Sequence, residues 1–129
     1  MKQVIVSPNA PKAIGPYSQA ILVENANKII FLSGQIALDP ATGQLVNGGI
    51  EAETKQTLKN IDAILKEIGA TFENVVKSTI FLTDINDFTA VNQIYGSMFR
   101  QSPPARSTVE VSRLPRDAKV EIECIVSLK

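Results

Sequence analysis

Apolar positions along this 129-residue chain change period several times, and each change predicts an element. Over residues 119–128 they alternate. Val120, Ile122, Cys124, Val126 and Leu128 share one face, and Glu121, Glu123, Ile125 and Ser127 share the other, which predicts a strand covered on one side. Over residues 50–68 the apolar set Leu58, Ile61, Ile64, Leu65 and Ile68 recurs at three- and four-residue steps. That spacing predicts an amphipathic helix, stopped at Gly69. Residues 75–83 form a β-branched run dense enough for a central strand. Asn86 and Asp87 then read as caps of a second helix, from Phe88 to about Arg100, with Phe88, Val91, Tyr95, Met98 and Phe99 on its buried stripe.

The first third of the chain is extended. Pro8, Pro11, Gly15 and Pro16 exclude a helix over residues 1–16, leaving room for a short strand at residues 3–6. Residues 18–23 and 28–33 are β-friendly runs flanking Glu24-Asn25-Ala26-Asn27, which reads as a hairpin with a loop of about four residues. Asp39-Pro40-Ala41-Thr42-Gly43 and Asn47-Gly48-Gly49 mark turns in a loop over residues 36–49. The resulting order, β, β, α, β, α, β, β, predicts one α+β domain spanning 1–129, with two helices on one face of a mixed sheet. The other sheet face would carry Glu121, Glu123 and Ile125 from the last strand and Arg106, Thr108 and Glu110 from the strand before it. A face so mixed suits cover by another subunit, and an oligomer is expected.

Composition narrows the chemistry. Thirteen basic residues balance thirteen acidic ones, so no global field gathers nucleic acid or an anionic membrane. Between Arg100 and Lys119 five cations face two anions, a modest local excess. Cys124 is the only cysteine, which rules out an internal disulfide and a Cys-rich zinc site and suits a reducing cytosol. Its place on the apolar face of the last strand reads as a small core residue. The absence of histidine removes Ser-His-Asp and Cys-His catalysis and the commonest metal ligand. No metal or cofactor is expected. No apolar run approaches a membrane span and residues 1–7 are too short for a signal peptide, so a cytoplasmic location is expected.

Pro103-Pro104-Ala105-Arg106-Ser107-Thr108-Val109-Glu110-Val111 places an arginine at a loop-to-strand junction. A guanidinium fixed there presents a planar fork suited to a carboxylate or a phosphate, and a surface arginine beside a turn is the alternative. If the strand after Arg106 pairs with the last strand, Arg106 and Glu121 approach each other, either as a structural ion pair or as two sides of a polar cleft. Tyr17, after the Gly15-Pro16 bend, offers an aromatic wall or a packing residue. Gly34 lets another backbone or a ligand come close, or marks a simple bulge or bend. Asn92 lies on the apolar stripe of the second helix and needs a partner, a backbone group or a ligand.

Taken together, Asn9-Ala10-Pro11, Ile14-Gly15-Pro16-Tyr17-Ser18-Gln19, Ser33-Gly34-Gln35, Asn86-Asp87-Phe88 through Val91-Asn92, and Pro104-Ala105-Arg106-Ser107 running on to Leu114-Pro115 closely resemble the RidA (YjgF) family. The resemblance spans essentially the whole chain. It implies a chorismate-mutase-like α+β fold assembled as a homotrimer with ligand clefts between subunits. It also implies a deaminase of 2-iminobutanoate and 2-iminopropanoate, small 2-imino acids hydrolysed to 2-oxo acids and ammonia. Carried over by position, Arg106 grips the substrate carboxylate and Glu121 helps hold the attacking water, while Tyr17, Ser33, Gly34, Asn92 and Thr108 line the cleft. Thr108 stands where many relatives have cysteine, so a role needing that thiol does not transfer. Some relatives carry ribonuclease or chaperone-like labels; the neutral charge and scarcity of aromatics weigh against RNA, and a regulatory ligand-binding trimer is the second reading.

Overall fold

The computed structural model describes residues 2–99 and 101–129. The expected helix end at Arg100, and that residue's part in the basic stretch, lie outside the described residues. Eight main elements follow in order: β1 (Lys2–Ile5), β2 (Ala20–Val23), β3 (Lys28–Gln35), α1 (Gly49–Glu67), β4 (Val75–Leu82), α2 (Phe88–Gly96), β5 (Ala105–Glu110) and β6 (Val120–Leu128). Four strands form a mixed sheet in the order β3-β6-β4-β5, with β4 and β5 parallel and the other pairs antiparallel. The α+β reading holds.

The core lies between this sheet and the two helices. Leu58, Ile61 and Leu65 of α1 and Val91 and Tyr95 of α2 pack with Ile80, Leu82, Val120, Ile122, Cys124 and Val126 of the sheet, all buried. The period-two pattern of β6 thus maps directly onto burial, because only one sheet face is covered by helix. Burial pushes the Cys124 thiol up to about 12, so it stays protonated and behaves as a small apolar side chain. α1 ends as expected: the Gly69 amide bonds the Lys66 carbonyl and its backbone turns left-handed at φ 72°.

Three expectations are corrected. First, residues 20–23 and 28–35 do not form a hairpin ladder with each other. β2 pairs antiparallel with β1 instead, from Lys2↔Val23 to Ile5↔Ala20, as a separate two-stranded sheet. The linker turns at Asn25, φ 57°, and the Asn27 amide is taken by Leu128 of β6. The Lys2 ammonium then ties β1 to the carbonyls of Glu73, Val75 and Ser102.

Second, α2 is shorter than its apolar stripe. Helical bonding gives way at Gly96 to i→i−3 bonds from Ser97, Met98 and Phe99, which carry Phe99 into the core without a further α-turn. Its capping also differs: the Asp84 carboxylate takes the Asn86 amide and Glu110 takes the Ile85 amide, whereas Asp87 makes no side-chain cap.

Third, Arg106, Thr108 and Glu110 do not share a face with Glu121. β4 lies between β5 and β6, so the two strands are not neighbours. Ser78 pairs with both Arg106 and Cys124, and Ile80 with both Thr108 and Ile122, which puts Arg106 and Thr108 on the helix-covered side. Glu121 pairs with Phe81 on the opposite side.

Candidate functional site

Arg106 is the second residue of β5, and its position is set by the two prolines before it. Without N–H groups the two prolines cannot donate to a ladder, and their carbonyls accept from Ser18. Its hydroxyl donates to the Pro103 carbonyl at 2.5 Å and its amide to that of Pro104 at 3.1 Å. This seam brings Tyr17 against β5. A second bend, from the Tyr17 amide to the Gly15 carbonyl at 2.8 Å, turns its ring toward Arg106.

Three rings surround the guanidinium. Cζ of Arg106 lies 5.2 Å from the Tyr95 ring centre and 5.6 Å from those of Tyr17 and Phe88, within the range of cation–π attraction. Nη1 donates to the Asn92 amide oxygen at 2.7 Å. Asn92 therefore answers its own burial through a side chain of the sheet and not through a backbone group. Burial draws the Arg106 pKa down, with Tyr95 and then Tyr17 acting in the opposite direction. The group stays charged, since arginine does not lose its proton in proteins. Among the described residues the ion pairs are Asp62–Lys66 and Arg113–Asp117, and no carboxylate neutralises Arg106. A half-buried cation without an anion has the charge and the free N–H groups to take one. Two residues along β5, the Thr108 hydroxyl is buried without a hydrogen-bond partner.

Ser33, Gly34 and Glu121 form a second group. β3 bulges between the pairs Leu32↔Cys124 and Gln35↔Ile122, and Ser33 and Gly34 are the residues in the bulge. The Glu121 carboxylate lies directly over Gly34. A Cβ at that position would come within 2.8 Å of the carboxyl carbon and closer still to Oε2. The bulge reading of Gly34 holds, and what comes close to it is the Glu121 side chain in place of another backbone or a ligand. Burial, and then the charge of Glu123, raises the Glu121 pKa.

One chain therefore brings together Tyr17, Asn92 and Arg106, and separately Ser33, Gly34 and Glu121. It does not bring the two groups to each other, because they stand on opposite faces of the sheet with β4 between their strands. Sequence reasoning assigned Phe88 and Tyr95 to the core alone. Their spacing from Asn92, at i−4 and i+3, was the available signal that they share its neighbours. The face around Glu121 is also unusually apolar for an open surface: Phe31 is 74% exposed, Ile29 48% and Val109 42%. A groove of about 180 Å³ there is lined by Phe31, Lys77, Thr79, Glu123 and Ile125.

Comparison with known proteins places the chain in a family. The family model described as endoribonuclease L-PSP matches residues 7–128. The chain is 53% identical to the protein DfrA of Myxococcus xanthus, over 96% of this chain and 94% of that one. It is 50% identical to the human 2-iminobutanoate/2-iminopropanoate deaminase, over 97% of this chain and 89% of that one. A crystal structure of a protein of the conserved Rid family from Yersinia pestis, YyfA, is 53% identical and superposes with a TM-score of 0.76 over 99% of this chain and all of that one. The chain belongs to the endoribonuclease L-PSP family, which is the RidA (YjgF) family that its motifs resemble.

Proposed function

We propose that this protein is a 2-imino acid deaminase, hydrolysing 2-iminobutanoate and 2-iminopropanoate to the 2-oxo acids and ammonia. The observation that carries the reading is the half-buried Arg106 guanidinium, held by Asn92 and three rings and left without a carboxylate of its own. The curated mammalian deaminases, about half identical over nearly the whole chain, support it.

The reaction asks for little beyond orientation. An iminium carbon is electrophilic, so water adds to it once both are held in line. Arg106 grips the carboxylate through N–H groups not used by Asn92. Glu121 orients the water and accepts its proton as the C–O bond forms, giving a tetrahedral carbinolamine. Glu121 then returns this proton to the nitrogen, the C–N bond breaks, and ammonia leaves while Glu121 accepts the hydroxyl proton, giving the 2-oxo group; that proton departs with ammonia as ammonium. Water is the only co-reactant, and neither metal nor cofactor takes part. A raised Glu121 pKa makes that carboxylate a stronger base than a solvated one.

Arg106 and Glu121 work on one substrate only if they come from different chains. We therefore read the apolar face around Phe31 as a subunit interface and the assembly as a homotrimer with clefts between copies, each cleft joining the Arg106 group of one copy to the Glu121 group of the next. Tyr17, Ser33, Gly34, Asn92 and Thr108 line that cleft, and the Thr108 hydroxyl finds its missing partner there. No helix among the described residues is long and apolar enough to cross a membrane, in keeping with the cytoplasmic location we propose. Nucleic acid is a poor fit, because Arg113 of the basic stretch is paired with Asp117 and Arg106 faces the aromatic box.

The test couples a threonine dehydratase to this protein and follows free 2-iminobutanoate. Its decay should accelerate in proportion to added protein; a decay rate equal to that in buffer would reject the assignment.

A further inference from the structure

We propose that Tyr95 and Ser78 are positioning residues for Arg106: the buried phenol ring is the floor on which the guanidinium rests, and the Ser78 hydroxyl fixes that floor. The inference rests on the reading of Arg106 as the carboxylate clamp and adds what sets the angle of the fork.

Ser78 stands opposite Arg106 in the β4–β5 pairing, so both side chains leave the sheet on the helix side. Its hydroxyl shares a 2.5 Å hydrogen bond with the Tyr95 hydroxyl. Both residues are 1% exposed, so water cannot replace either partner. The body of the Tyr95 ring is held from another side by Phe99, with centroids 4.7 Å apart. A ring fixed at its tip and along its body has one orientation, and it is the nearest of the three rings to Arg106. Asn92, three residues earlier on the same helix, takes Nη1. Thus α2 supplies both the hydrogen bond to the guanidinium and the ring nearest to it.

Two parallel N–H···O bonds to a carboxylate require the guanidinium plane to match the substrate, which makes the floor a determinant of substrate binding and not of the chemical step. An interaction made equally in the ground and transition states changes KM and leaves kcat in place.

The experiment measures kcat, KM and Tm for 2-iminobutanoate hydrolysis by the wild type and by Ser78→Ala, Ser78→Thr, Tyr95→Phe, the Ser78→Ala/Tyr95→Phe double variant and Arg106→Ala. Ser78→Ala and Tyr95→Phe should each raise KM about five- to tenfold with kcat within about twofold. The double variant should be no worse than either single one, because both remove the same bond. Ser78→Thr, which keeps the hydroxyl, should restore the wild-type KM. An unchanged KM in Ser78→Ala and Tyr95→Phe, beside a raised KM in Arg106→Ala, overturns this inference and leaves the clamp standing. A fall in Tm and kcat alone, with no rescue by Ser78→Thr, also overturns it, since a residue that merely fills the core would behave that way. An unchanged KM in Arg106→Ala removes the clamp itself.

Discussion

Arg106 and Glu121 occupy opposite faces of one sheet, with β4 running between the strands that carry them. Each chain accordingly carries two separate groups: a cation boxed by Tyr17, Phe88, Tyr95 and Asn92, and a carboxylate laid over the backbone of Gly34.

The open apolar face is the first place to test the assembly. Phe31, 74% exposed at the centre of β3, is expected to be buried between copies. Phe31→Glu would place a desolvated charge there and should dissociate the oligomer, read by sedimentation velocity, with imine hydrolysis lost in parallel. Unchanged sedimentation of the variant would place the interface elsewhere.

Gly34 gives a more local test. A methyl group at this position has no room while the Glu121 carboxylate lies where it does, so Gly34→Ala must push that side chain away. Because Glu121 is partly exposed it can move without disturbing the core. We expect Tm within a few degrees of the wild type and kcat lower by about ten- to a hundredfold, the usual cost of a catalytic group displaced by an ångström. Full activity in Gly34→Ala would remove Glu121 from the chemistry.

The pH dependence follows from the raised Glu121 pKa, caused first by burial and then by Glu123. A group whose folded pKa exceeds its unfolded value stabilises the fold at acid pH, and that contribution is lost as pH rises through the folded value. Activity runs the other way, since the base must be ionised. The rate should therefore fall as pH drops through a value above the ordinary carboxylate pKa. In Glu121→Gln this limb should vanish with most of the activity, while Tm at neutral pH should not decrease. A pH–rate profile that keeps the same acidic limb in Glu121→Gln would assign the base to another group.

How far the sequence carries depends on which interactions leave a local trace. The alternation in β6 and the stripe of α1 are legible because each is imposed by one buried face, and burial writes its period into the chain. The partner of β2 is not legible, since the turn residues at 24–27 suit a hairpin whether or not β1 and the Lys2 ammonium compete for the strand. Nor is the face of Arg106. Its side is fixed by the parallel register of β5 on β4, a long-range pairing that no local pattern encodes. Phe88 and Tyr95 read as core because the same stripe position serves a core and a cation equally well; only the fold shows that they do both. The motifs around Tyr17, Gly34, Asn92 and Arg106 single out residues that the fold gathers into two groups, but the division of those groups between two faces appears only in three dimensions.

The most direct test mixes two inactive chains. Arg106→Ala and Glu121→Ala proteins, each with its hydrolysis of 2-iminobutanoate reduced at least about tenfold, are unfolded together in equal amounts and refolded. If each cleft takes Arg106 from one copy and Glu121 from another, chance pairs an intact arginine with an intact glutamate in roughly a quarter of clefts. The mixture should then recover about that fraction of the activity of wild-type protein refolded in the same way. Activity no higher than that of either variant alone would contradict a cleft shared between chains.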